Sequence, residues 1–149
     1  MSDAIRDLVT NRKAKHEYTL TDHFEAGISL LGSEVKSLRT DGSANLADAF
    51  VELRPKGAYL LGFYIAPYSH ATHEQHDPRR TRPLLLHKHE LSKLEKLTKQ
   101  RGMTIIPTRV YFRGSKVKVE IAAAKGKKQY DKRQSIKQRD IEKQLRRIK

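Results

Sequence analysis

The final 25 residues, Lys125 to Lys149, limit what the whole chain can fold into. They hold eleven Lys and Arg against three acids, a net +8, which leaves +6 of the total +14 for residues 1–124. Ile136, Ile141, Leu145 and Ile148 are the only aliphatic side chains there, and Tyr130 is the one aromatic. So few apolar groups bury too little surface to offset the entropy lost on ordering. Any hydrophobic core must come from residues 1–124, which is enough chain for one domain. The expectation is a folded domain, 1–124, carrying a basic tail, 125–149, that is disordered in the free protein.

A pI near 10.1 and a charge of +14 point to a polyanionic partner. Nucleic acid and an anionic membrane surface are the two physical choices. No run approaches the ~18 apolar residues of a membrane span. The stretch Met1 to Arg12 lacks the apolar centre of a secretory leader. There is no cysteine, hence no disulfide and no thiolate site, which fits a reducing cytosol. The expected location is cytoplasmic, with no membrane partner.

Hydrophobic spacing divides the first 124 residues into short elements. Ala4, Ile5, Leu8 and Val9 have the i, i+3, i+4 spacing of a short helix. Asn11 to Lys15 follows as a basic arm. Phe24, Ala26, Ile28 and Leu30 alternate with their neighbours, so His16 to Leu31 reads as strand, with Thr21-Asp22 as a turn before the run. Gly32-Ser33 offers a cap for a helix over Glu34 to Arg39, ended by Asp41-Gly42. Phe50 to Arg54 and Tyr59 to Ile65 flank Pro55-Lys56-Gly57 and read as a hairpin. Residues 67–83 have no sustained period and read as a loop. Leu91, Leu94 and Leu97 mark a helix stopped by Gly102. Thr104 to Phe112 and Lys116 to Ile121 close the set as strands. In the last strand Val117, Val119 and Ile121 face one way, and Lys116, Lys118 and Glu120 the other. The fold class expected is mainly β, a small closed barrel with flanking short helices.

Few constellations here carry chemistry. His70, His73 and His76 lie three apart beside Glu74 and Asp77, residue types that zinc accepts. The block is not HExxH, and Asp77-Pro78 opposes a helix. No phosphate-binding glycine motif and no nucleophile motif is present. Asp22 and Glu25 have the spacing of a capping box and an ordinary structural reading. No catalytic residue, cofactor or metal is expected. Basic residues interleaved with aromatics are the stronger pattern. Arg12, Lys13, Lys15, His16 and Tyr18 form one cluster; Tyr111, Phe112, Arg113, Lys116 and Lys118 form another. Aromatic and Arg faces stack on unpaired bases while Lys and Arg track phosphates.

The ordered set of motifs resembles the SmpB family, the bacterial partner of transfer-messenger RNA. It comprises Asn11 to Tyr18, Phe24 to Gly27, Gly32 to Arg39, Asn45 to Asp48 and Asp77 to Arg82. Leu84 to Leu86, Ala124 to Lys128, Asp131 to Arg133, Lys137 and Arg139-Asp140 complete it. The resemblance implies an OB-like barrel that binds the tRNA-like domain of transfer-messenger RNA and enters stalled ribosomes. Elongation factor Tu would ride on the same RNA, an indirect partner. It implies that the tail follows the empty mRNA channel and folds as a helix near the decoding centre. The RNA-facing residues so implied are Asn11, Arg12, Lys13, His16, Glu25, Leu85 and Lys118. Those meeting ribosomal RNA are Lys127, Lys128, Tyr130, Asp131, Lys132, Arg133, Lys137 and Arg139. Read as a residue alone, Leu85 belongs in the core. Position 130 is Tyr where some members carry His, and position 87 is His.

Tyr130, Lys137, Ile141 and Ile148 fall near one line at 100° per residue, so the tail permits a helix once phosphates remove its like-charge repulsion. Two other readings compete with an RNA adaptor that has no enzymatic activity. One is a metal-dependent enzyme built on the histidine block, which a tightly held stoichiometric zinc would reveal. The other is a general ribosomal or nucleoid protein, which would show little preference for a tRNA-like fold.

Overall fold

A computed structural model describes residues 4–40, 42–68 and 76–126. The elements in chain order are β1 (Ile5–Thr10), α1 (Arg12–Glu17), β2 (Tyr18–Ile28), α2 (Gly32–Arg39), β3 (Ala44–Asn45) and β4 (Phe50–Arg54). They continue with β5 (Gly57–Leu61), β6 (Tyr64–Ile65), β7 (Arg82–Leu85), α3 (Lys88–Thr98), β8 (Met103–Arg113) and β9 (Lys116–Gly126). The described part is mainly β. Seven strands pair in the order β1-β8-β4-β5-β7-β2-β9, every pair antiparallel, and β9 also pairs with β8. β3 and β6 form a small separate ladder. The core lies inside this sheet, with Ala26, Leu60, Phe63, Ile105, Val119 and Ile121 among its buried members. Leu94 of α3 and Leu38 of α2 are buried in the same cluster.

The alternating patterns produce the strands they predict. Val117, Val119 and Ile121 are buried while Lys116 is exposed. The β4–β5 hairpin pairs Phe50 with Leu61 through Arg54 with Gly57. Gly57 takes a φ of +144°, which a side chain resists. The helix marked by the leucines is α3, with Glu90 accepting from the His87 N–H at 3.0 Å.

Several expectations give way, each for a local reason. The expected helix over residues 4–9 is instead edge strand β1, Ile5–Thr10. The pairing of β1 with β8 shifts between Asp7 and Val9, so Leu8 is a bulge. That extra residue turns a period-2 pattern into one that mimics i, i+3, i+4. Asp22 is likewise not a turn before β2. It is the bulged residue within it, at φ +48°, between Thr21 paired to Ala123 and His23 paired to Ala122. The capping reading of Asp22 and Glu25 fails with it. The basic arm is helix α1. The run from Tyr59 to Ile65 is cut at Gly62, whose φ is +77° and whose added Cβ would lie 2.6 Å from the Asp48 carbonyl oxygen. Within the supposed loop 67–83, Arg82 opens strand β7. β9 runs on to Gly126, so Lys125 and Gly126 pair with Thr19 and Tyr18 and belong to the sheet rather than the tail.

A buried ion cluster ties α2 to β7. Glu34 and Arg82 have no exposed surface. Arg82 Nε donates to Glu34 Oε2 at 2.5 Å, and its Nη1 donates to the carbonyls of Phe63 at 2.5 Å and Arg80 at 3.1 Å. Arg80 Nη2 and the Leu31 N–H both donate to Glu34 Oε1 at 2.8 Å. Burial works to raise the Glu34 carboxyl. Arg80, the Leu31 N–H and the charge of Arg82 outweigh it and hold the group below its ordinary value. The motifs Gly32 to Arg39 and Asp77 to Arg82 therefore meet inside the protein.

Candidate nucleic-acid interface

The outward face of β7, β2, β9 and β8 carries the first group of expected contacts. Gly27 of β2 pairs with Leu85 of β7 on one side and Lys118 of β9 on the other. Lys118 pairs in turn with Tyr111 of β8. Side chains in one such row point the same way. Gly27 has none, so the floor between Leu85 and Lys118 is open. An added Cβ there would sit 3.2 Å from Leu85 Cβ. The result is a cavity of about 600 Å³ lined by Glu25, Gly27, Leu85, Leu86, His87, Glu90 and Lys118. Leu85 is 64% exposed, which overturns its reading as a core leucine. The core position next to it is filled by Leu84.

Glu25 is held in place from β8. Tyr111 Oη donates to Glu25 Oε2, and Arg113 Nη2 meets the same oxygen at 3.0 Å. Burial, then the hydrogen bond and charge of Glu25, push the Tyr111 hydroxyl up to about 12. It therefore stays a donor at any physiological pH. Two of the aromatics expected to stack on bases, Tyr111 and Phe112, are buried and do not present their faces. Their work is internal: Tyr111 orients Glu25.

The second group sits on α1, which covers the same outer face farther along β8 and β9. Ala14 packs with Ile106 and Ala124 in a small apolar cluster of its own. Arg12, Lys13, Lys15 and His16 are exposed. Asn11, by contrast, is only 7% exposed. Its Oδ1 accepts from the Ala14 N–H at 3.2 Å, capping the helix, and its Nδ2 donates to the Pro107 carbonyl at 2.9 Å. Its backbone N–H donates to the Thr108 carbonyl at 2.8 Å. Asn11 thus positions the basic helix, using one Nδ2 hydrogen and one Oδ1 lone pair inside the protein. Asn11→Ala is expected to lose about 2 kcal/mol of stability, since a cap and a buried partner go together. Chemical denaturation checks this; Asn11→Asp, which keeps the cap acceptor alone, should fall between the two.

α1 is anchored at Pro107–Thr108 and Lys118 lies against Tyr111, so the two groups share one face without forming one cavity. Sequence reasoning missed Gly27, His87 and Glu90 as parts of the first group, and it took Tyr111 for a stacking face rather than the partner of Glu25. Gly27 was the available signal, a glycine on the polar face of an alternating run. His76 is buried, with Nδ1 2.9 Å from Ser33 Oγ and Nε2 2.9 Å from the Ile65 carbonyl oxygen. Both its nitrogens serve the fold, and no metal-holding cluster occurs among the described residues. His70, His73 and Glu74 lie outside them, as do Lys127, Lys128, Tyr130, Asp131, Lys132, Arg133, Lys137 and Arg139. Among the described residues no helix is long and apolar enough to cross a membrane.

The family model described as SmpB protein matches residues 8–149. The chain belongs to the SmpB family. The SsrA-binding protein of Syntrophobacter fumaroxidans is 47% identical over 148 residues, spanning 99% of this chain and 91% of that protein. The SsrA-binding protein of Persephonella marina is 51% identical over 141 residues, 95% and 92% of the two chains. That of Aquifex aeolicus is 48% identical over 146 residues, 98% and 93%. Among solved structures, a chain described under "tmRNA-SmpB: a journey to the center of the bacterial ribosome" aligns with a TM-score of 0.68. Its identity is 43%, over 81% of this chain and 85% of that one. The sheet and flanking helices seen here are thus the SmpB architecture.

Proposed function

We propose that this SmpB-family protein binds transfer-messenger RNA and acts with it on the bacterial ribosome in trans-translation. The observation that carries the site is the row Leu85–Gly27–Lys118 with Glu25 beside it. An exposed apolar side chain, a fixed carboxylate and a lysine around an open floor suit an unpaired base and its phosphate. The basic face of α1 extends the same surface. In the finer reading, the ring of pairings that returns from β9 to β8 is an OB-like closed barrel, a scaffold common for oligonucleotides. It takes the tRNA-like domain through Arg12, Lys13, His16, Glu25, Leu85 and Lys118, with Asn11 as a positioning residue. The tail beyond Gly126 occupies the decoding centre and the empty mRNA channel, where Tyr130 and the basic residues meet ribosomal RNA. Elongation factor Tu is engaged only through the RNA. The protein works in the cytoplasm, binds and places RNA, and performs no chemistry of its own.

The test is Lys118→Ala. Binding of the tRNA-like domain should weaken roughly tenfold. The slope of log affinity against log salt should flatten by about 0.7–0.9, the share of one phosphate. The thermal midpoint should not move, because Lys118 points away from the core. Unchanged affinity with an unchanged slope would sink the assignment.

A further inference from the structure

Four large hydrophobic side chains are exposed among the described residues: Ile5, Leu31, Phe50 and Leu85. Leu85 belongs to the cleft above. Phe50, 42% exposed, stands on the other side of α1 and lines a second cavity of about 340 Å³. Its walls are Lys13, Glu17 and Tyr18 from α1 and its end, Asp48 from the loop into β4, Phe50 at the start of β4, and Thr104 of β8. Lys13 Nζ sits between two carboxylates, 3.9 Å from Glu17 Oε1 and 3.9 Å from Asp48 Oδ1. The fold builds this wall deliberately. Only a glycine at 62 lets the chain approach the Asp48 carbonyl closely enough to close the loop.

The two cavities have the same parts. Each has one exposed apolar platform, Leu85 or Phe50. Each has a lysine, Lys118 or Lys13. Each has acids at hand, Glu25 and Glu90 or Asp48 and Glu17. We propose that the Phe50 cavity is a second base-binding site, taking one unpaired nucleobase that presents an exocyclic amino group. The inference rests on the RNA-binding reading above and adds residues that reading does not contain. A phenyl face stacks on any base. An ionised carboxylate only accepts hydrogen bonds, so Asp48 and Glu17 select a base edge rich in donors, and guanine offers two adjacent ones. The same carboxylates repel a phosphate, which is left to the exposed Arg12 and His16 on the outer side of α1. The volume is at the small end for ligand sites and suits a single base.

The test uses the full-length chain and the tRNA-like domain of transfer-messenger RNA at fixed salt. Phe50→Ala should weaken binding by about five- to a hundredfold, the range for losing one stacked base. Phe50→Tyr should stay within about twofold, since the stacking face is kept. Phe50→Tyr should leave the thermal midpoint in place. More than half of Phe50 is covered, so removing its ring costs some stability. The loss in Phe50→Ala is therefore compared with the retained affinity of Phe50→Tyr at a temperature where both are folded. Asp48→Ala gives a test of sign. Removing an acid beside a polyanion should tighten binding if charge alone mattered. Recognition of an amino group requires that it weaken. Full affinity in Phe50→Ala, or tighter binding in Asp48→Ala, overturns the second site. If Lys118→Ala still weakens binding, the proposed function stands without it. Failure of the unsubstituted chain to prefer this RNA over an unrelated one overturns both.

Discussion

Arg82→Met is expected to remove about 3–5 kcal/mol of stability, the usual result of taking one partner from a buried ion pair. Glu34 would keep its charge with only Arg80 to answer it. The carbonyls of Phe63 and Pro78 would each lose an Arg82 donor, at 2.5 and 3.3 Å in the intact protein. The volume is nearly conserved, so the loss is not one of packing. For a domain of this size the thermal midpoint should drop by roughly 10–20 °C. Calorimetry or circular dichroism would measure it. A drop of a degree or two would mean that water or Arg80 compensates fully, and that the cluster contributes little.

The pH dependence follows from the same residues. Glu34 in the folded protein titrates below its ordinary value of 4.5. A depressed carboxyl stabilises the fold fully above the unfolded value and loses that contribution as pH falls through the folded value. Wild-type stability should therefore decline below about pH 4.5. In Arg82→Met the buried carboxylate is instead a liability, and protonation relieves it. The gap between the two proteins should narrow as pH falls, starting above 4.5, where the variant's raised carboxyl takes up its proton, and ending where the wild-type carboxyl is protonated. A gap constant down to pH 3 would contradict the assignment.

The second large effect is functional. A chain ending at Gly126 should still bind the tRNA-like domain but fail to tag peptides on ribosomes stalled at the end of a message. Residues 127–149 carry ten Lys and Arg against three acids, so the truncation removes +7 of +14. That lowers general affinity and flattens its salt dependence. It leaves the Leu85–Gly27–Lys118 row and α1 intact. β9 also stays whole, because Lys125 and Gly126 are paired with β2. Tagging in a translation extract programmed with a stop-less message should fall to background, while affinity for the isolated RNA falls about tenfold or less at moderate salt. Normal tagging by the shortened chain would refute the division of labour between sheet and tail.

Much of this was legible in residue order. Alternation in Val117, Val119 and Ile121 gave both the strand and its wet face. The leucines of α3 and the turn at Pro55–Gly57 were local signals, and local signals survive folding. The bulges at Leu8 and Asp22 were not legible, because a bulge is defined by the partner strand and the sequence of one strand does not contain it. Residue type alone put Leu85 in the core for a related reason, while the family resemblance put it on the RNA-facing side. Hydrophobicity says that a side chain gains by burial, and it does not say which of two adjacent leucines the sheet turns inward. Asn11 shows the converse. Its type fits both a helix cap and an RNA contact, and only the approach of Pro107 from 96 positions away assigns the amide to the interior.

Residue order alone fixes the charge, its concentration in the last 25 residues, and the family. These depend on composition and on ordered motifs, and neither needs a third dimension. The tertiary structure decided which residues share a surface. Glu25, Leu85 and Lys118 come from three strands and meet because Gly27 is paired on both sides. Lys13, Asp48 and Phe50 meet because Gly62 lets a loop close against its neighbour. Glu34 and Arg82 look like surface charges in the sequence, and the fold makes them its most buried pair. Contacts between residues far apart in sequence are set by strand pairing and close packing, so no periodicity within one segment encodes them.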